Sequence, residues 1–193
     1  MAEKLITLRS TIATPGAAAY AAGDELSNHA TAGSVVRATF DLSGFQRGII
    51  FAAQLDVTPA SGNVVTTALD VELALFKTAN VPAAVGDNVT HPIAAATKAL
   101  SPGVFRFDDT GWAGPLGTVA AGTSQIQKVG AHVVMPTATP TLQVGYVGHI
   151  FEFKGGEAAT LTAVLRTLAA WDPFGAGPAV VNTFGISLDI EVE

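Results

Sequence analysis

Phe184, Ile186, Leu188, Ile190 and Val192 alternate with Gly185, Ser187, Asp189, Glu191 and Glu193. A strict period of two predicts a strand with one buried and one wet face. Residues 69–76 repeat the pattern, with Leu69, Val71, Leu73 and Leu75 on one face and Asp70, Glu72, Ala74 and Phe76 on the other. The acidic pair marks the second face as the expected solvent side. Further strands are predicted over residues 4–12, 34–42, 48–58, 103–107, 125–135 and 142–153, all rich in the β-branched and aromatic residues that suit a half-buried pleated surface. The 20 Gly and 10 Pro fall mostly between these runs and punctuate them.

Two stretches depart from this period. After a loop from residue 78, Thr90 is placed to cap a short helix over Ile93 to Leu100, with Pro92 near its permitted first turn. Residues 158–171 fit a helical stripe on Leu161, Val164, Leu165, Leu168 and Trp171, and also a strand on Leu161, Ala163, Leu165 and Thr167. Their Thr and Val content favours the strand. Many short strands, Gly/Pro turns and one short helix make the fold class mainly β, an antiparallel β-sandwich of jelly-roll type. The Ala-rich run from Ala13 to Ala22 suggests a hinge, so residues 1–14 are read as an N-terminal arm and 15–193 as one β-sandwich domain.

Composition narrows the function. Hydrophobic residues make up 49% of the chain and charged residues 13%, yet no apolar run approaches the roughly 18 residues needed to span a bilayer. The protein is expected to be soluble. At the N-terminus, charges flank an apolar stretch shorter than the 7–15 residues (about) of a secretory signal, so none is expected. The ten Lys and Arg are scattered against 16 Asp and Glu, for a net charge of −6, and nucleic-acid binding needs clustered positive charge. No nucleic-acid or membrane partner is therefore expected. With no cysteine, disulfides and thiolate metal sites are excluded.

Candidate chemistry is sparse. His29, His91, His132 and His149 show no metal-ligand spacing. Asp108-Asp109 offers one carboxylate of a glycosidase pair without a second, and adjacent Asp residues before Thr-Gly are better read as turn formers. Gly86-Asp87-Asn88 lacks the oxygen spacing of a calcium loop and is also read as a turn. Neither a dinucleotide-binding glycine motif nor a hydrolase nucleophile elbow is present. Tyr20, Trp112, Tyr146 and Trp171 suggest a sugar-stacking platform on one reading and core or interface anchors on the other. No catalytic, cofactor-binding or metal residue is assigned.

The block Tyr20-Ala-Ala-Gly-Asp24, the strand Ser34 to Leu42, Gly48-Ile-Ile-Phe51 running to Gln54-Leu-Asp-Val57, Leu69 to Phe76, and Gly86-Asp-Asn88 before a short helix and Val104-Phe-Arg-Phe107 follow one another in a characteristic order. This order resembles a family of tailed-bacteriophage virion structural proteins, often encoded beside the major capsid protein. The resemblance spans roughly residues 20 to 150 and rests on order and spacing. It implies a β-sandwich capsid decoration (cement) protein, made in the host cytoplasm and carried on the capsid surface of the virion. The major capsid protein is the implied partner, and a homo-oligomer, with a trimer as one form, is the implied state. It implies no catalytic residues. The departure is Ala94-Ala-Ala-Thr-Lys-Ala-Leu100, acidic in the family and not here, so the family's partner surface is not carried over. Leu5, Ile6, Leu8 and Ile12 are candidates for an inter-subunit arm that adds a strand to a neighbour's sheet, with pairing inside the chain's own sheet as the alternative. The rival functions are a low-copy neck, tail or fibre component and a glycan-binding host-attachment module using Trp112 and Trp171, with an enzyme ranked last.

Overall fold

A computed structural model of the chain describes residues 4–15, 19–59, 69–108, 110, 112, 125–130, 148–172 and 182–193. Its strands are β1 (Lys4–Ala13), β2 (Glu25–Leu26), β3 (Thr39–Asp41), β4 (Arg47–Pro59), β5 (Val71–Lys77), β6 (Gly103–Phe107), β7 (Gln125–Gly130), β8 (His149–Glu152), β9 (Thr160–Thr167) and β10 (Asn182–Val192). A single-turn helix, α1, spans Ala95–Lys98.

Two antiparallel sheets result. Sheet 1 runs β1-β10-β4-β7, with β8 also on β4; sheet 2 runs β2-β9-β5-β6, with β3 also on β9. The pairs β7/β8 and β2/β3 each act as one interrupted strand along a single neighbour. Counted so, the described residues hold eight strand positions, four per sheet, in the order of a jelly roll. The two inner faces enclose one core of Phe40, Leu55, Leu73, Phe105, Phe107, Phe151, Leu165, Phe184, Ile186 and Leu188, among others, and apolar burial of this kind is the main force holding such a sandwich together.

β10 behaves as its pattern requires: Phe184, Ile186, Leu188, Ile190 and Val192 are all buried, and it forms the spine of sheet 1 between β1 and β4. A bulge interrupts its pairing with β4, where Asp189 faces Ala52 and Ile190 faces Ile50. The extra residue, Phe51, is turned outward, while Ile50 and Ala53 both stay buried. Residues 158–171 contain β9, a strand, with Leu161, Ala163 and Leu165 in the main core.

Several expectations are corrected. The outer side of β5 is not a solvent face: Ala74 and Phe76 are buried, and Glu72 is nearly so. Ala74 and Phe76 form a second small core with Val164 of β9 and Ile93, against which Val81 and Val104 pack, because the segment from residue 78 to 102 folds back over sheet 2. The strand expected over 34–42 shrinks to β3, preceded by a 3-10 turn at Ala32–Ser34. The predicted helix shrinks to α1, and its N-cap is Ala94, which makes no side-chain capping bond. Thr90 instead donates to Asp24 Oδ1 at 3.0 Å. The predicted strands 125–135 and 142–153 are seen as β7 and β8; residues 131–147 lie outside the described residues.

Candidate functional site

The two sheets present very different outer faces. On sheet 2, cross-strand register lines up Glu25 of β2, Arg166 of β9, Glu72 of β5 and Arg106 of β6, a row of alternating charge. Glu72 accepts hydrogen bonds from Arg166 Nε and from Lys98 Nζ of α1, both at 2.8 Å. Glu25, 1% exposed, accepts two from Arg37, at 2.8 and 3.0 Å, and one from the Val85 amide at 3.1 Å. His91 Nδ1 lies 2.9 Å from its Oε2. Burial alone would raise the Glu25 pKa, but the His91 and Arg37 contacts, the Arg37 charge and the Val85 amide outweigh it and hold the carboxyl at about 2. Glu72 is likewise lowered, since Arg166 and Lys98 outweigh its desolvation.

Beside this row, Asp87 accepts from the Tyr20 hydroxyl and from the Ser27 amide, each at 3.0 Å. Burial dominates here and, with the nearby Glu25 and Asp24 charges, pushes the Asp87 carboxyl up to about 6 against the opposing pull of those two bonds. Burial and the Asp87 charge raise the Tyr20 phenol well above its ordinary range. These contacts strap residues 78–102 across sheet 2, so the part of that face around Glu25, Glu72 and Phe76 is covered by the chain itself, while Arg106 at its end stays exposed.

Sheet 1 has no such cover among the described residues. Its outward row runs Leu5, Glu191, Ile49 and Ile150 across β1, β10, β4 and β8. Leu5 is 69% exposed, Ile150 67% and the bulged Phe51 38%. Leu5, Phe51, Asp189 and Glu191 line a shallow open concavity of about 570 Å³. Asp189 is tied down by Lys128 and by the Thr7 hydroxyl, and its pKa is lowered because these partners outweigh its desolvation.

The four candidate arm residues divide between the faces. Ile12 is buried in the core and Ile6 and Leu8 pack against it, whereas Leu5 joins the exposed outer row. β1 pairs with β10 over its whole length, from Lys4 opposite Val192 to Ala13 opposite Thr183. Its other edge is unpaired among the described residues.

The candidate sugar platform is not assembled. Tyr20 and Trp171 stack at 5.6 Å, but each is 2% exposed, inside the core. Trp112 lies apart from them, donating to the Leu69 carbonyl at 2.7 Å, and Tyr146 is outside the described residues. Asp108 accepts from the Thr110 amide and hydroxyl, the local bonding of a turn former. Gly86-Asp87-Asn88 is a turn, with Gly86 at φ +107° and Asn88 at φ +56°. His29, His91 and His149 are well separated along the chain; His149 packs edge-on against Phe105, and His132 is not described. Among the described residues no group of three or more His, Cys, Asp or Glu is placed to hold a metal.

Sequence reasoning missed both surfaces. The burial of Glu72 had a local signal, since Ala74 and Phe76 share its face, but Arg37, His91 and Arg166 reach Glu25 and Glu72 only through tertiary contacts. Phe51 is exposed by a bulge, which no period announces.

No family model matches the chain, and no curated protein matches it. Similar solved structures include the decameric BFDV capsid protein (9% identity over 100% of this chain and 99% of that one, TM-score 0.35). The cyanophage Pam1 capsid asymmetric unit matches at 11% identity over 97% of this chain and 85% of that one, TM-score 0.30. A full particle of Israeli acute paralysis virus, heated to 63 degrees, matches at 10% identity over 97% and 71%, TM-score 0.33. At these scores the likeness carries no functional argument, and the jelly-roll assignment rests on the strand order.

Proposed function

We propose that this chain is a structural protein of a tailed-bacteriophage virion, a capsid decoration protein that binds the shell and stabilises it. The observation that carries the reading is the asymmetry of the two outer faces. The part of sheet 2 around Glu25, Glu72 and Phe76 is covered by the chain's own segment, while sheet 1 exposes Leu5, Phe51 and Ile150 beside a strand edge that is unpaired among the described residues. Exposed large apolar side chains grouped on one face mark a binding face, and here they stand beside the carboxylates of Asp189 and Glu191. Binding and packing are the whole mechanism; no catalytic group, cofactor, nucleic acid or membrane takes part. Residues 1–14 act as an arm on a body formed by residues 15–193, and Leu5, Ile6, Leu8 and Ile12 hold β1 so that its outer edge, unpaired among the described residues, meets a neighbouring subunit. The major capsid protein is the partner, copies of the chain associate with one another, and the site of action is the capsid surface.

Quantitative mass spectrometry of purified particles tests this reading. A copy number equal to that of the major capsid protein, or a simple fraction filling every capsomer site, is expected. A few copies per particle would replace it with a neck, tail or fibre role, and absence from particles would overturn any virion role.

A further inference from the structure

The outward row of sheet 1 holds one group that an apolar partner cannot cover without penalty. Glu191 stands between Leu5 and Ile49, with Ile150 next in line. Its neighbours on β10 and beyond are occupied, Asp189 by Lys128 and Thr7 and Glu193 by Arg47. Among the described residues the Glu191 side chain has neither a hydrogen bond nor an ion pair. Charges that only guard against aggregation sit on edge strands, yet the edge here is β1 and Glu191 lies one strand inward.

Any surface that buries Leu5, Ile49 and Ile150 must also desolvate Glu191. An unpaired carboxylate resists burial, so a purely apolar or acidic partner is rejected and one that brings a cation is accepted. The concavity beside it, walled by Leu5 and Phe51 with Asp189 and Glu191, fits a long side chain with an apolar stem and a charged head. Resting on the shell-binding reading, we infer that the outer face of sheet 1 takes an extended basic and aliphatic segment of a shell subunit. An Arg or Lys of that segment meets Glu191, while aliphatic residues two positions away, on the same face of the segment, cover Leu5, Phe51 and Ile150.

The test is methyl NMR of the full chain titrated with three synthetic nonapeptides that carry serine at every even position and, at the odd positions that share one face, alternating valine and arginine, valine and glutamate, or serine and arginine. The valine-arginine peptide is expected to shift the Leu5, Ile49 and Ile150 methyls, to bind at least fivefold more weakly to Glu191→Gln, and to lose its advantage to the valine-glutamate peptide in Glu191→Lys. Equal binding of the acidic or the serine peptide to the wild type, shifts elsewhere, indifference to Glu191, or no binding at all would overturn the inference. Particle copy number separates the two readings. Glu191→Lys protein at full occupancy would sink this inference and leave the shell role standing, whereas absence of the wild-type chain from particles would sink the shell role itself.

Discussion

Arg9 of β1 reaches Asp56 of β4, Nη2 to Oδ2 at 2.9 Å, by crossing over the intervening strand at Gly185. In register, Gly185 faces Thr11 on one side and Asp56 on the other, so the ion pair runs diagonally over the one position of β10 without a side chain. A Cβ there would stand 2.9 Å from Arg9 Nη2 and 3.0 Å from Asp56 Oδ2.

Gly185→Ala is therefore expected to displace Arg9 and leave the buried Asp56 with only its bond from Gln54. The expected loss is about 1 kcal/mol in urea unfolding, and a double-mutant cycle with Arg9→Ala should show the two losses to be strongly non-additive. Additive losses would mean that Gly185 serves the sheet in some other way.

The pH dependence of stability has two opposing parts. Glu25 is held at about 2, so its contribution is complete above its ordinary 4.5 and fades as pH falls toward 2. Asp87 is raised to about 6, so its contribution is complete below 3.8 and is lost as pH rises through 6. Asp87→Asn keeps acceptor and size but never ionises. Relative to wild type, its melting temperature is expected to be a few degrees higher at pH 7.5, with the gap closing by pH 4. A gap independent of pH would show that Asp87 carries no buried charge.

The contrast between the two outer faces predicts unequal costs for two phenylalanines. Phe76 is fully buried beneath residues 78–102, and Phe76→Ala is expected to cost about 3–5 kcal/mol. Phe51, on the bare face, should cost less than about 1 kcal/mol. Urea midpoints of the two variants check this; similar losses would mean that the outer face of sheet 1 is covered in the free chain.

The elements legible in the sequence were those whose local pattern equals their tertiary setting. β10 alternates because it has one packed face and one open face, and β1, β4 and β6 are found near their true limits for the same reason, whereas β5 is found by its apolar run although both its faces are covered. β2 escaped notice because Glu25 in a two-residue buried strand reads as a loop until Arg37, twelve residues on, supplies its counter-charge. Glu72 misled because an acidic residue on a strand is usually wet, and only the return of residues 78–102 over sheet 2 makes it an internal ion-pair partner. Of the candidate site, Leu5 was singled out for its place in the arm, but its alignment with Glu191, Ile49 and Ile150 depends on strand order, which no single strand encodes.

The most direct test of shell stabilisation uses particles assembled without this chain, heated while genome release is followed by dye fluorescence. Adding back the wild-type protein is expected to raise the release temperature, and adding back the folded double variant Leu5→Asp/Ile150→Asp is expected to leave it unchanged. Equal protection by both proteins would contradict binding through the outer face of sheet 1, and no protection by the wild type would contradict a stabilising role altogether.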